Sequence, residues 1–128
     1  MAHHPIISIV DDDESVREAL RGLIRSVGFT ANVFASAEEF LAWPDLGTTN
    51  CLIVDIRMPG MNGLELQRDL AAAHKPVPVI FVSACADPHT RSLALQAGAV
   101  AFLNKPLNDE ALLSAIHGAV DDKESDYE

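Results

Sequence analysis

The stretch Cys51-Leu-Ile-Val-Asp55 (CLIVD) is a short apolar run closed by a carboxylate. It lacks the alternation of a half-buried strand and is too short for a buried helix. The remaining reading is a strand covered on both faces. Runs of the same kind recur at Ile6 to Val10, Ala31 to Phe34, Val77 to Val82 and Val100 to Leu103.

Helical patterns fill the intervals. Val16, Leu20, Leu23, Ile24 and Val27 repeat at helical spacing, and Gly28 follows as a stop. Ser36 with Glu39 three residues on is a capping-box signature for a second helix. A third runs from about Gly63 to Ala73. A fourth begins at Asp87-Pro88 and stops at Gly98, and a fifth begins near Asn108 and repeats Leu112, Leu113, Ile116 and Val120. Strands alternating with helices predict an α/β fold, a mostly parallel sheet with helices on both faces. With right-handed crossovers, the flavodoxin-like (βα)5 three-layer sandwich of strand order 2-1-3-4-5 fits best.

With 128 residues the chain makes one domain. Residues 1–120 are read as that domain, and 121–128 as an acidic tail or the start of a linker. The chain is 48% apolar but only 5% aromatic, so aliphatic packing dominates the core. No apolar run approaches the ~20 residues that span a bilayer, and the N-terminus lacks signal-peptide features, so a cytoplasmic location is expected. A net charge of −10 disfavours direct nucleic-acid binding and anionic membrane. Cys51 and Cys85 have no metal or redox spacing and read as reduced thiols, and the five histidines form no zinc pattern.

In this fold the ligand site lies beyond the carboxyl ends of the strands, between strands 1 and 3. Strand 1 ends in Asp11, Asp12 and Asp13, strand 3 in Asp55, strand 4 in Ser83, and strand 5 in Asn104, Lys105 and Pro106. Crowded carboxylates repel and raise one another's pKa, and a hard divalent cation relieves this. Lys105 adds a compact positive charge and Ser83 a neutral donor. That is the equipment of phosphoryl transfer: an oxygen nucleophile, a metal and cationic stabilisation.

At these residues the sequence resembles the receiver domains of two-component response regulators, over about Ile6 to Val120. It is most similar to the FixJ-type receivers, through VDDDESVR (Val10 to Arg17) and DIRMPGMNGLELQ (Asp55 to Gln67). The resemblance implies that Asp55 accepts a phosphoryl group from a sensor histidine kinase. It implies Mg²⁺, with Mn²⁺ as a substitute, held by Asp11, Asp12, Asp55 and the backbone carbonyl of Arg57. Asp13 falls on the variable position after the acidic pair. Ser83 and Lys105 take the hydroxyl and lysine positions, and the bond to Pro106 is expected to be cis. Phe102 takes the aromatic switch position, its ring turning inward as Ser83 moves toward the phosphoryl group, or it is simply a core residue.

Ser83 stands where Thr is more usual, and Cys85 lies where dephosphorylation rate is often set. The fourth helix is expected to move, having only Leu93 and Leu95 as large apolar anchors. The face made by the fourth helix, fifth strand and fifth helix is the expected output surface, with a phosphorylation-dependent homodimer as one output. The chain is expected to be no enzyme beyond self-catalysed phosphotransfer and slow autodephosphorylation. The alternatives are a metal-dependent aspartyl phosphatase, with Asp11 as nucleophile and Asp13 two residues on, and a receiver-like module that binds without phosphate. FixJ-type regulators commonly carry a helix-turn-helix domain, which this sequence does not supply.

Overall fold

In the computed structural model, which describes residues 5–75, 77–84 and 87–125, the elements alternate as expected. Strands β1 (Ile6–Val10), β2 (Thr30–Phe34), β3 (Cys51–Asp55), β4 (Val79–Ser83) and β5 (Ala101–Asn104) form one sheet. Helices α1 (Glu14–Ser26), α2 (Ala37–Ala42), α3 (Gly63–Ala72), α4 (Pro88–Gln96) and α5 (Asp109–Ser125) connect and follow them. The order is β2-β1-β3-β4-β5, with every pair parallel. This is the flavodoxin-like arrangement, and it arises because the central strands are apolar on both sides and need two helical layers.

The alternation within β3 shows the layering. Leu52 and Val54 join Phe40, Leu66, Phe81, Ala94 and Phe102 under α2, α3 and α4. Cys51 and Ile53 join Ile7, Ile9, Leu20, Ile24, Leu112 and Ile116 under α1 and α5. All five β3 residues are buried.

Each helix starts on a side-chain cap. Asp13 accepts from the Ser15 and Val16 amides at α1, Ser36 from Glu39 at α2, and Asp87 from Thr90 at α4. The Ser36 cap is only half of the expected box. Glu39 Oε1 takes the Ala35 amide at 3.1 Å, one residue upstream of the cap. The reciprocal box occurs instead at α3, between Asn62 and Glu65. Gly28 and Gly98 end α1 and α4 in the left-handed region, with φ of 94° and 99°.

Strand β4 and helix α5 depart from the expected bounds, and helix α2 is short. Strand β4 starts at Val79, not Val77, because Pro78 has no N–H for the ladder and contributes only its carbonyl, to Leu52 N at 2.8 Å. Helix α2 stops after six residues because Pro44 holds Trp43 extended, at φ −76° and ψ 121°. Helix α5 continues through Ser125, into the segment read as an acidic tail. Asp126 to Glu128, His3, His4 and Cys85 lie outside the described residues.

Candidate functional site

Continuing the strand alternation past the carboxyl ends places the site. In β1, Ile7 and Ile9 face α1 and α5, so Asp11 follows on that side. In β3, Cys51 and Ile53 do the same, and Asp55 follows. The register pairs Val10 with Val54, which sets Asp11 beside Asp55. Ala101 and Leu103 of β5 bring Lys105 to the same side. Phe81 and Phe102 face the other layer, and Ser83 follows them toward α4.

The contacts agree. Lys105 Nζ donates to Asp55 Oδ2 at 2.7 Å and to Asp11 Oδ2 at 2.9 Å. Asp55 Oδ1 accepts from the Arg57 amide at 2.9 Å, and Asp11 Oδ1 accepts from the Asp13 amide at 2.9 Å. Asp11 and Asp55 are buried, whereas Asp12 is exposed. Ligand atoms of Asp11, Asp12 and Asp55 lie within 4.8 Å of one another. Three hard oxygen donors at this spacing suit a small divalent cation better than zinc, which takes nitrogen and sulfur. The Lys105-Pro106 peptide is cis, as expected.

Burial pushes the Asp11 carboxyl above its ordinary range, against the lowering effects of the Asp13 amide and of Lys105. Asp55 adds to this rise, but as the smallest contribution, so desolvation outweighs the carboxylate repulsion expected from sequence. Burial also works against the Lys105 ammonium. The bonds to Asp55 and Asp11 outweigh it and leave the lysine above its usual value.

Several supports were not legible as site features. Asp13, next to the acidic pair, caps α1 with Oδ1 at 2.8 Å from Ser15 N. The D-E-S order before an apolar helix was the available signal. Arg17 Nη1 donates to the Asp11 carbonyl at 2.8 Å, fixing the β1–α1 turn. Glu38 Oε2 accepts from the Met61 amide at 3.2 Å, tying α2 to the loop after Asp55. That loop and Thr90 of α4 border an open groove next to Asp55 in the chain.

Phe102 is 4% exposed, so its ring lies in the core, as the simpler reading of that position has it. Arg91 lies over it, 5.8 Å from guanidinium carbon to ring centroid. Leu93 and Leu95 do not anchor α4. Each is 42% exposed, and Ala94 is the buried residue of that helix. The apolar spacing gave no phase for so weakly amphipathic a helix.

A family model described as the response regulator receiver domain matches residues 7–117. The chain belongs to that family. The receiver is 44% identical over 115 residues to the response regulator protein TodT of Pseudomonas putida (strain F1), covering 90% of this chain and 51% of TodT. It is 37% identical over 113 residues to the transcriptional regulatory protein FixJ of Rhizobium meliloti, covering 88% of this chain and 55% of FixJ. It thus spans about half the length of these curated relatives. The crystal structure of FixJ-N superposes with a TM-score of 0.84 at 37% identity, covering 94% of the receiver and 96% of that chain. The FixJ-type resemblance and the flavodoxin-like fold are both borne out. Among the described residues, no helix is long and apolar enough to cross a membrane.

Proposed function

We propose that Asp55 is the phosphoacceptor of a two-component relay. The observation that carries this is the Lys105 ammonium held between Asp55 and Asp11, with Asp12 in reach of the same point. Asp11, Asp12, Asp55 and the Arg57 carbonyl would hold Mg²⁺, or Mn²⁺ in its place. When bound, the cation neutralises phosphoryl oxygens and completes the charge balance of the site.

A carboxylate oxygen of Asp55 forms the new bond to phosphorus. The bond from phosphorus to the imidazole of a kinase phosphohistidine, or to the oxygen of a small acyl phosphate, breaks, and its electron pair leaves with that group. The Arg57 amide holds Asp55 Oδ1 in place for this. Lys105 exchanges its contact with the carboxylate for one with a phosphoryl oxygen, and Ser83 donates to another. At rest its partners keep Lys105 above its ordinary pKa, so it meets the phosphoryl group charged.

The reading is of a signalling receiver, not a turnover enzyme, working in the cytoplasm. Residues 1–120 would carry the function, and 121–128 would be a tail or the start of a linker. Its partners are a sensor histidine kinase and, when phosphorylated, a second copy through α4, β5 and α5. No direct nucleic-acid contact is assigned to this chain. Asp13 is committed to capping α1, which removes the second carboxylate an aspartyl phosphatase centred on Asp11 would use. The acid, hydroxyl and lysine set disfavours a phosphate-independent module.

The test is intact-mass spectrometry after acetyl phosphate with Mg²⁺. One base-labile phosphoryl adduct is expected, lost in Asp55→Asn and in excess chelator. Equal labelling of Asp55→Asn, or labelling unaffected by chelator, overturns the reading.

A further inference from the structure

We propose that Arg91 is a positioning residue that latches Phe102 inward and holds α4 against β5, setting how readily the α4–β5 face rearranges. The inference rests on the receiver reading for its consequence but not for its geometry. Two contacts from one side chain converge on one residue. The guanidinium lies over the Phe102 ring with its carbon 5.8 Å from the centroid. Its Nη1 donates to the Phe102 backbone carbonyl at 3.2 Å. A planar cation can stack and donate at once, which an ammonium cannot do as well.

The latch matters because α4 has little else. Its buried apolar residue is Ala94, while Leu93 and Leu95 are half exposed. Burying one methyl group stabilises weakly, so polar clips carry much of the attachment. Gln67 provides one, its Nε2 donating to the Ala97 carbonyl at 3.1 Å at the far end of the helix. That clip is imperfect, because Gln67 Oε1 is buried with no hydrogen-bond partner among the described residues. Arg91 is the clip in the middle, and it joins the helix to β5. Phe102 is paired with Phe81 across the strands, so the ring under the guanidinium is also part of the α2–α4 core.

Mechanical coupling through the latch follows from the same placement. Ser83 pairs with Asn104 in the register and its carbonyl accepts the Lys105 amide at 2.8 Å. Motion of Ser83 toward a phosphoryl group therefore pulls on the segment that runs from Phe102 to Lys105. The Arg91 contacts on Phe102 resist that pull. Releasing them frees α4, and keeping them holds the resting face.

The experiment compares wild type with Arg91→Ala, Arg91→Lys, Phe102→Leu and the Arg91→Ala/Phe102→Leu double variant, all unphosphorylated and in the full chain. Amide hydrogen exchange in α4 and β5 is the first readout, with β1 and β3 as internal controls. Arg91→Ala should speed exchange in α4 and β5 by about tenfold, from loss of one hydrogen bond and one cation–π contact. Arg91→Lys should recover part of this, and β1 and β3 should not change. Phe102→Leu should shrink the effect of removing Arg91, because half of the latch is already gone. Uniform acceleration across the sheet, or an Arg91 effect undiminished by Phe102→Leu, overturns the latch.

The second readout is the change in α4 exchange on phosphorylation, with the Asp55 adduct confirmed by mass. Arg91→Ala should start closer to the phosphorylated state and change less. An unaltered change in the variant overturns the regulatory role. Absence of any adduct on Asp55 in wild type overturns the phosphoacceptor reading alone, leaving the first readout to judge the latch.

Discussion

Lys105→Met removes the one ammonium that bridges Asp55 and Asp11 and leaves a side chain of comparable length. Taking one partner from a buried pair costs about 3–5 kcal/mol, whereas exposed pairs are worth about 1 kcal/mol or less. The carboxylate side chains here are only 2% and 9% exposed, but the Lys105 side chain is 19% exposed. We therefore expect a loss of about 2–3 kcal/mol at pH 7 in chelator, between those limits and nearer the buried one.

The loss must depend on pH with a definite sign. Asp11 is already held above its ordinary pKa by burial, and without Lys105 it rises further. A carboxyl raised in the folded state carries a penalty above its folded pKa that disappears as pH falls toward the unfolded value of about 3.8. Lys105 itself is raised, so its stabilisation is fully present below its unfolded value of 10.5 and both effects act at pH 7. The deficit of the variant should therefore shrink as pH falls from 7 toward 3.8. Excess Mg²⁺ should narrow it as well, because the site without its ammonium is more negative and binds the cation more tightly. Urea unfolding across that range, with chelator and with Mg²⁺, measures this. A variant as stable as wild type at pH 7 in chelator, or a deficit that stays constant as pH falls toward 3.8, refutes the electrostatic account of the site.

Gly63→Ala should destabilise by about 1–3 kcal/mol in urea unfolding, because a Cβ there would sit 2.8 Å from the Asp55 carbonyl, 3.2 Å from Ile56 Cα and 3.1 Å from Phe81. Its phosphoryl labelling should also slow, since the clash bears on the strand that carries Asp55, and a neutral result in both assays removes that packing argument. Asp13→Ala should lose about 1 kcal/mol of stability through the α1 cap yet still be labelled on Asp55. Loss of all labelling in a folded Asp13→Ala would assign Asp13 to the site instead. Burial pushes the Cys51 thiol up to about 12, so wild type should lose stability as pH rises above its unfolded value of 9.0, at about 1.4 kcal/mol per pH unit from this group. Cys51→Ala, though weaker at pH 7, should show a shallower decline, and an identical slope would show that the thiol does not contribute.

The sequence by itself determined the element order, the layering and the gathering of Asp11, Asp12, Asp55, Ser83 and Lys105 at one rim. These follow from local rules: apolar runs too short for helices, caps and stops between them, and a parallel sheet that gathers strand ends on one side. Tertiary structure alone decided which carboxylates are buried, since Asp11 and Asp12 are adjacent in sequence and only the turn held by Arg17 sends one inward and leaves the other exposed. It also decided that burial, more than repulsion, raises Asp11, because desolvation depends on what covers a group and no spacing records that. The state of Phe102 was equally out of reach. An apolar strand position says that a ring can be buried, but whether it is depends on what other elements pack against it, here Phe81 and Ala94 of the same cluster. Leu93 and Leu95 looked like anchors for the same reason in reverse: a helix with so weak an apolar face takes its phase from Ala94, Arg91 and the Ala97 carbonyl meeting their partners, and those partners lie on other elements of the chain.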